Sequence, residues 1–159
     1  MAMVANSGTI YKPHLLKDVR DSETGEILQT IQPQVLTKST IDQSIWKEIQ
    51  EALRYTVTDG TPQYPMHNKI VQIACKTGTA EVDGYKNSWH SWLVAYAPYD
   101  APPEDQICVA TVVEACNKWE WWAPYCTNII IQGYFADQTC QEAITALGFD
   151  YLQKQGRRE

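Results

Sequence analysis

Residues 70–81 read IVQIACKTGTAE, an apolar run that leads directly into a lysine and then into two threonines separated by a glycine. The first half is rich in β-branched side chains and therefore predicts a strand over residues 70–82. Lys76-Thr77-Gly78 ends the apolar run. As a bare tripeptide it is typical of a strand end followed by a turn. Evidence for a chemical role must therefore be found in the rest of the chain.

Two more strands are predicted directly downstream. Residues 89–97 and 106–115 are apolar runs, and turn-forming residues precede each of them, at 83–84 and at 100–105. Because short links connect the three strands, we predict a single antiparallel meander. One helix over residues 124–146 would lay its apolar side on this sheet. The expected fold class is α/β (α+β), an antiparallel sheet flanked by helices.

Upstream, the sequence predicts a helix end, a hairpin and a second helix. Residues 1–5 resemble the last turns of a helix, and a strand over 9–19 would pair with residues 27–31 across a turn at 21–26. Residues 37–57 are amphipathic at helical spacing. Ser39 and Asp42 have the spacing of a capping box, which would start this helix.

Composition restricts the classes of partner and cofactor. The 159 residues are about the size of one domain, and a net charge of −6 with a pI near 5.0 disfavours binding to nucleic acid or to an anionic membrane. No apolar run of about 18 residues and no signal-peptide pattern occurs. Five cysteines without a Cys-x-x-Cys pair and three scattered histidines predict no zinc site, and no other metal or organic cofactor is expected.

The cysteines carry two separate expectations. Cys75 and Cys108 lie in predicted strands, where burial as small hydrophobic side chains is the ordinary outcome. Cys116 and Cys126 bracket an aromatic loop, residues 117–125, and an oxidising compartment would permit a disulfide between them. Free thiols at both positions are the alternative. With Cys140 the count is odd, so not all five can pair within the chain.

Five segments, residues 1–15, 57–61, 76–81, 90–98 and 107–114, share their order with one family. Together they resemble the C-terminal half of the transpeptidase domain of class B penicillin-binding proteins, nearest to the penicillin-binding protein 2 type. Lys-Thr-Gly is one of three motifs that form the active site of penicillin-recognising serine enzymes. The resemblance implies a partial fold of the penicillin-binding or serine β-lactamase type, with residues 1–159 as the C-terminal part of one transpeptidase domain.

The resemblance also implies a role for each residue of the motif. Lys76 would bring positive charge, and the N–H of Thr79 would face a developing oxyanion, so these two are the implied catalytic residues. The hydroxyls of Thr77 and Thr79 would bind a substrate carboxylate. Gly78 would let an extended peptide lie against the backbone. The implied substrate-binding residues are Thr77, Gly78, Thr79 and Ala80.

The nucleophile used by this family is expected outside the chain. The family has it in a Ser-x-x-Lys motif, with a second serine in Ser-x-Asn, both upstream of the first matching segment. No Ser-x-Asn occurs here. The string Ser44-Ile-Trp-Lys47 fits the first pattern, but it lies in a predicted helix and follows that first segment. We therefore interpret Ser44 as a chance match and expect the chain to be inactive alone.

For the parent protein the resemblance implies a peptidoglycan D,D-transpeptidase that cross-links stem peptides through a serine acyl-enzyme. Its implied partners are the stem peptide, β-lactam antibiotics, the missing N-terminal half of the domain and cell-wall elongation proteins. Its implied place is the periplasmic face of the bacterial inner membrane, with the anchor upstream and this chain soluble by itself. Two alternatives stay open: a β-lactamase or β-lactam sensor of the same fold, and a non-catalytic binding or scaffold fragment.

Other residues near the motif have plainer explanations than catalysis. His90 could act as a base, but packing at the core or rim is the favoured interpretation. Glu81 is interpreted as structural, and Glu114 as a hydrogen-bond anchor for the loop after its strand. A cluster of loop tryptophans is expected to form a partly exposed lip above the active-site groove: Trp119, Trp121 and Trp122.

Overall fold

A computed structural model describes residues 1–82, 88–114 and 121–154 of the chain. Short strands and helices form the first part, and a longer antiparallel sheet followed by helices forms the second. In chain order the elements are α1 (Ala2–Ala5), β1 (Thr9–Tyr11), β2 (Asp18–Arg20), β3 (Ile27–Thr30), β4 (Val35–Lys38), α2 (Gln43–Thr58), α3 (Gln63–Met66), β5 (Ala74–Glu81), β6 (Trp89–Ala97), β7 (Ile107–Val113), α4 (Trp122–Ala136), α5 (Cys140–Ala146) and α6 (Asp150–Lys154).

The second part of the chain contains a three-stranded antiparallel sheet in the order β5-β6-β7. Its register continues without a bulge, and Gly78 of β5 lies opposite Trp92 of β6, which in turn lies opposite Val112 of β7. The predicted antiparallel meander is therefore confirmed. Short links suit this arrangement because each strand folds directly back on the one before it.

The strand that carries the motif begins later than the sequence predicts. β5 runs from Ala74 to Glu81, and Lys-Thr-Gly lies inside it, as the predicted bounds 70–82 also place the motif. Residues 70–73 stay outside it because the Asn68 side chain accepts the N–H groups of Ile70 and Val71, at 2.9 and 3.1 Å, and so forms a local turn. The motif is thus held in an extended conformation with strand on both sides of it.

One face of this sheet is covered by α4. Two hydrogen bonds join the layers: Thr127 Oγ1 donates to Thr111 Oγ1 at 2.7 Å, and the N–H of Ala123 donates to Ser91 Oγ at 3.1 Å. Helix and sheet also share a fully buried apolar core, which includes Leu93, Ala95, Ala97, Ala123 and Ile131. Burying this surface holds β6 and β7 firmly beneath the helix.

The single helix predicted over residues 124–146 is wrong, because two helices occupy this range. α4 ends at Ala136 and is followed by Asp137, which has a φ of 51° in the left-handed region. α5 begins after Thr139, whose hydroxyl accepts the N–H of Glu142 while the Glu142 carboxylate accepts the N–H of Thr139. These local signals, in a polar stretch at residues 137–142, end one helix and begin the next.

The first part of the chain forms two small sheets. β2 pairs with β3, with Asp18 opposite Thr30, which confirms the predicted hairpin. The strand predicted over residues 9–19 is instead interrupted after Tyr11, near Pro13, which has no N–H for a ladder bond. β1 pairs with β4, whose last two residues, Thr37 and Lys38, the amphipathic pattern wrongly assigns to a helix.

Helix α2 connects this part to the motif strand. It begins at Gln43, and its cap is Asp42, whose Oδ1 accepts the N–H of Ser44 at 2.8 Å, so the capping box predicted at Ser39 is wrong. Farther along the helix, Arg54 Nη1 donates to the carbonyl oxygen of Ile73 at 2.8 Å. Since Ile73 directly precedes β5, this bond ties the helix to the start of the motif strand.

The face of the sheet opposite α4 is partly open. Trp92 and Val112 are neighbours there and are 42% and 43% exposed. Cys108 on the same face is also exposed, which corrects the expectation of burial, whereas Cys75 is buried as predicted. The described helices include none that is long and apolar enough to cross a membrane. Over the same residues, no group of three or more His, Cys, Asp or Glu side chains could hold a metal ion.

Candidate active site

The Lys-Thr-Gly motif lies on an edge strand. Among the described strands, β5 pairs only with β6, so the backbone groups along its other edge are available to an added strand. Alternation puts Lys76, Gly78 and Ala80 on one face of the sheet and Thr77 and Thr79 on the other. All of these residues are exposed except Thr77, which is half-buried. The arrangement leaves backbone and side chains accessible to a ligand.

The ammonium group of Lys76 folds back toward its own strand. Nζ donates to the carbonyl oxygen of Thr77 at 2.7 Å. An ammonium has three donors, so it keeps the capacity to bind a hydroxyl or an anionic group as well. The motif therefore presents a positive charge at the edge of the sheet.

A small hollow of about 70 Å³ adjoins the motif. β5 forms one wall through Thr77, Gly78 and Thr79, and the other walls come from residues distant in sequence: Thr61, Trp92, Trp121 and Pro124. The lining combines hydroxyl groups with aromatic and apolar surface, and it includes no acidic side chain among the described residues. Ligand pockets usually have a volume of about 300–1,000 Å³, so this hollow is sized for the end group of a ligand.

Positive charge prevails beside the motif. Burial raises the pKa of the Cys75 thiol to about 12, although the nearby charges of Lys76 and Arg54 act in the opposite direction. The thiol therefore stays neutral at ordinary pH and is no nucleophile. α4 begins at Trp122, next to the hollow, and the N-terminus of a helix carries partial positive charge.

Gly78 has a packing role that is independent of any ligand. A Cβ built at this position would lie 3.3 Å from the Cβ of Trp92 on β6. This spacing is tighter than ordinary van der Waals contact, so a larger residue would press the two strands apart beside the hollow.

Thr61 reaches the hollow from the loop between α2 and β5, and sequence patterns assigned it no role. Its signals were its place at the end of the matching segment 57–61 and in a Gly-Thr-Pro turn shortly before the motif. Gly60 allows the chain to leave α2 sharply, because a Cβ there would lie 2.4 Å from the carbonyl oxygen of Thr56. The next residue, Pro62, is fully buried and anchors the other side of Thr61.

Asn128 of α4 fastens the same loop from within the core. Its Nδ2 donates to the carbonyl oxygens of Pro65 and His67, both at 2.9 Å, and its Oδ1 accepts from Asn68 Nδ2 at 2.8 Å. Asn68 Nδ2 also donates to Gln132 Oε1 at 3.1 Å. The buried amide thus satisfies backbone groups that would otherwise be unpaired inside the protein.

The structure keeps Ser44 apart from the motif. Ser44 lies in the first turn of α2, where its hydroxyl donates to Asp42 Oδ1 at 2.7 Å, and it does not line the hollow. Lys47 pairs with Glu51, with Nζ and Oε1 3.9 Å apart. These contacts give both residues of the chance Ser-x-x-Lys string an ordinary helical role.

The remaining candidates occupy varied positions. His90 is half-buried on β6 opposite Ala80, while Glu81 and Glu114 are exposed at the ends of their strands. Trp121 borders the hollow, as the lip interpretation expects, and Trp122 opens α4; both are half-buried. Two predictions fall outside the described residues, namely those that concern Trp119 and the Cys116–Cys126 disulfide.

Comparisons with known proteins agree with this geometry. Residues 1–119 match the family described as penicillin binding protein transpeptidase domain. The chain is 35% identical over 125 residues to penicillin-binding protein 2A of Bacillus subtilis, an alignment that covers 71% of this chain and 17% of that protein. It is 29% identical over 115 residues to peptidoglycan D,D-transpeptidase PbpA of Mycobacterium tuberculosis, with coverages of 71% and 22%.

The fold also has a counterpart among solved structures. Penicillin-binding protein 2B of Streptococcus pneumoniae superposes with a TM-score of 0.71 at 24% identity, over 86% of this chain and 23% of that one. The chain thus spans about a fifth of the length of these relatives. Because the family match extends over most of its residues, the chain belongs to the transpeptidase domain family of penicillin-binding proteins, in its class B branch.

Proposed function

We propose that the chain is the Lys-Thr-Gly part of a peptidoglycan D,D-transpeptidase, and that residues 1–159 form the C-terminal portion of its transpeptidase domain. The observation that carries this proposal is the motif itself, which lies on an exposed strand edge beside a hollow lined by Thr77 and Thr79. An edge strand of this kind recognises an extended peptide by adding it as a further strand. A relative named as a peptidoglycan D,D-transpeptidase supports the same activity.

The proposed reaction is acyl transfer through a serine ester. A serine hydroxyl attacks the carbonyl carbon of the penultimate D-alanine of a stem peptide, and its proton passes to a neighbouring base. The terminal D-alanine leaves as a protonated amine, and the peptide stays bound to the serine as an ester. An amine from a neighbouring peptidoglycan strand then attacks the ester carbonyl, which forms the cross-link and restores the serine hydroxyl.

The residues of β5 bind and polarise the substrate in this scheme. Lys76 supplies positive charge and a hydrogen bond to the serine of the second motif. The hydroxyls of Thr77 and Thr79 bind the carboxylate of the terminal D-alanine. The N–H of Thr79 and that of the nucleophile together stabilise the oxyanion. Gly78 and Ala80 present backbone to the peptide, which lies beside them as an added strand.

The nucleophilic serine is proposed to lie elsewhere in the same protein. Ser91, opposite Thr79 on β6, is fully buried and already accepts the N–H of Ala123, so it is unavailable to a substrate. The whole protein would act at the periplasmic face of the inner membrane on stem peptides, bind β-lactams, and work with cell-wall elongation proteins. It would need no metal or organic cofactor.

Acylation of the full-length protein by a fluorescent penicillin tests this function. Lys76→Ala should lower the second-order rate constant by about 30- to 1,000-fold, because losing a charged partner in a desolvated site costs about 2–4 kcal/mol. Thr79→Ala should lower it by only about fivefold, since one neutral hydroxyl contributes roughly 1 kcal/mol. The Thr79 N–H survives the second change, so the oxyanion keeps both donors.

Ser44→Ala is the control, and its acylation rate should equal that of the wild type. An acyl adduct on Ser44 in mass spectrometry, or a Lys76→Ala variant that is acylated at the wild-type rate, would contradict the proposal. The lifetime of the acyl-enzyme separates the remaining candidates. A transpeptidase holds the penicilloyl group for a long time, whereas a β-lactamase of the same fold releases it quickly.

A further inference from the structure

Thr61 shares the hollow with the two threonines of the motif. It is exposed, and it lines the cavity together with Thr77 and Thr79 although fifteen residues lie between it and Thr77 in the chain. No hydrogen bond between described residues uses the side-chain hydroxyl of any of these three. Three threonines whose hydroxyls are unused within the described residues therefore line one small space.

The fold holds Thr61 in place from both sides. Gly60 lies too close to the carbonyl oxygen of Thr56 to accept a side chain, and Pro62 is fully buried. The Asn128 amide then fixes the following residues through the carbonyl oxygen of Pro65. A side chain on a loop anchored in this way is positioned before a ligand arrives, which lowers the entropy cost of binding.

We propose that Thr61 donates a third hydroxyl hydrogen bond to the carboxylate of the substrate and so determines specificity for a peptide with a free C-terminus. This inference rests on the proposed function. A carboxylate offers about four acceptor sites, and Thr77 and Thr79 supply two hydroxyl donors, so a third donor has a site to fill. Trp121 and Pro124 add apolar surface to the lining, and a hydrogen bond beside apolar surface is stronger than one in bulk water.

The test compares Thr61→Val with Thr61→Ser in the full-length protein. Valine keeps the branched shape without the hydroxyl, and serine keeps the hydroxyl. Acylation is followed with benzylpenicillin, whose carboxylate stands in for that of the peptide, and with its methyl ester, which has no free carboxylate. The kinetics are resolved into the pre-covalent dissociation constant and the acylation rate constant.

Thr61→Val should raise the dissociation constant for benzylpenicillin about fivefold and leave the acylation rate constant unchanged. The ester should be nearly unaffected, and Thr61→Ser should bind benzylpenicillin like the wild type. Thr30→Val, on the exposed strand β3, is the matched control and should change neither constant.

Two results would overturn the inference about Thr61 without affecting the proposed function. One is wild-type binding of benzylpenicillin by Thr61→Val, and the other is an equal loss of affinity for the acid and the ester, which would indicate a change in the shape of the site. In both cases acylation of the wild type would leave the proposed function standing. A wild-type protein that no penicillin acylates would refute the proposed function, and this inference with it.

Discussion

Two glycines near the motif differ in how much a side chain would disturb them. At Gly78 an added Cβ would meet a side-chain carbon of Trp92 at 3.3 Å, which small shifts of the strand can relieve. At Gly60 it would meet the carbonyl oxygen of Thr56 at 2.4 Å, and that oxygen belongs to the backbone of α2. The helix end cannot move away without losing its own hydrogen bonds. A side chain at position 60 would therefore disturb the structure more than one at position 78.

Gly60→Ala should displace Thr61 and destabilise the domain by about 1–3 kcal/mol, the usual cost of forcing a methyl group into filled space. We expect a lower urea midpoint for the full-length protein and a weaker pre-covalent complex with benzylpenicillin. Gly25→Asn is the control, because that turn is open and asparagine tolerates its φ of 74°. An alanine variant with both quantities unchanged would show that the loop adapts freely.

At the scale of elements, two helices position the motif strand. α2 reaches it through the bond from Arg54 to the carbonyl oxygen of Ile73, and α4 reaches the preceding loop through Asn128. The Asn128 side chain is fully buried, and so is its bond to the carbonyl oxygen of Pro65, which water therefore cannot replace. The position of this loop, and of the wall of the site that it forms, therefore depends on how α4 packs against it.

Asn128→Ala should lower the unfolding free energy by about 2–3 kcal/mol, because the carbonyl oxygens of Pro65 and His67 lose their donor inside the protein. The urea midpoint of the full-length protein measures this change. Gln29→Ala, on the exposed strand β3, should have no effect. If Asn128→Ala is as stable as Gln29→Ala, the loop does not depend on the Asn128 amide.

At the scale of the molecule, the described structure leaves the motif and a neighbouring sheet face open to their surroundings. The hollow of about 70 Å³ exposes the motif, and the neighbouring sheet face leaves Trp92 and Val112 over 40% exposed. These two apolar side chains lie side by side, and exposed neighbours of this kind are suited to contact with further protein. The family relatives, of which the chain spans about a fifth, contain enough sequence to supply it.

The isolated chain should form no covalent penicillin adduct. Its described serines include none that lines the hollow, and Lys76 alone cannot form an ester. Intact mass spectrometry after incubation with benzylpenicillin measures this directly, with the full-length protein as the positive control. Stoichiometric labelling of the isolated chain would show that it carries its own nucleophile.

Local patterning was enough to predict the three-stranded sheet. Period-two alternation and short links are properties of neighbouring residues, and they predicted β5, β6 and β7 with their antiparallel pairing. The role of Lys76 to Ala80 came instead from the resemblance of five segments to one family, and it stays a prediction. Local patterning failed where a few residues override a longer pattern, as at Asp137, which follows α4, and at Thr37 and Lys38, which end β4 instead of starting a helix.

The composition of the hollow depended on the tertiary structure. Thr61, Trp121 and Pro124 lie far from the motif in the chain, and no periodicity links them to Thr77 or Thr79. Contacts between distant segments bring them together: the packing of α4 on the sheet and the buried amide that holds the loop after α2. Sequence neighbours specify a strand and its motif, whereas the opposite wall of a site forms only when the whole core is packed.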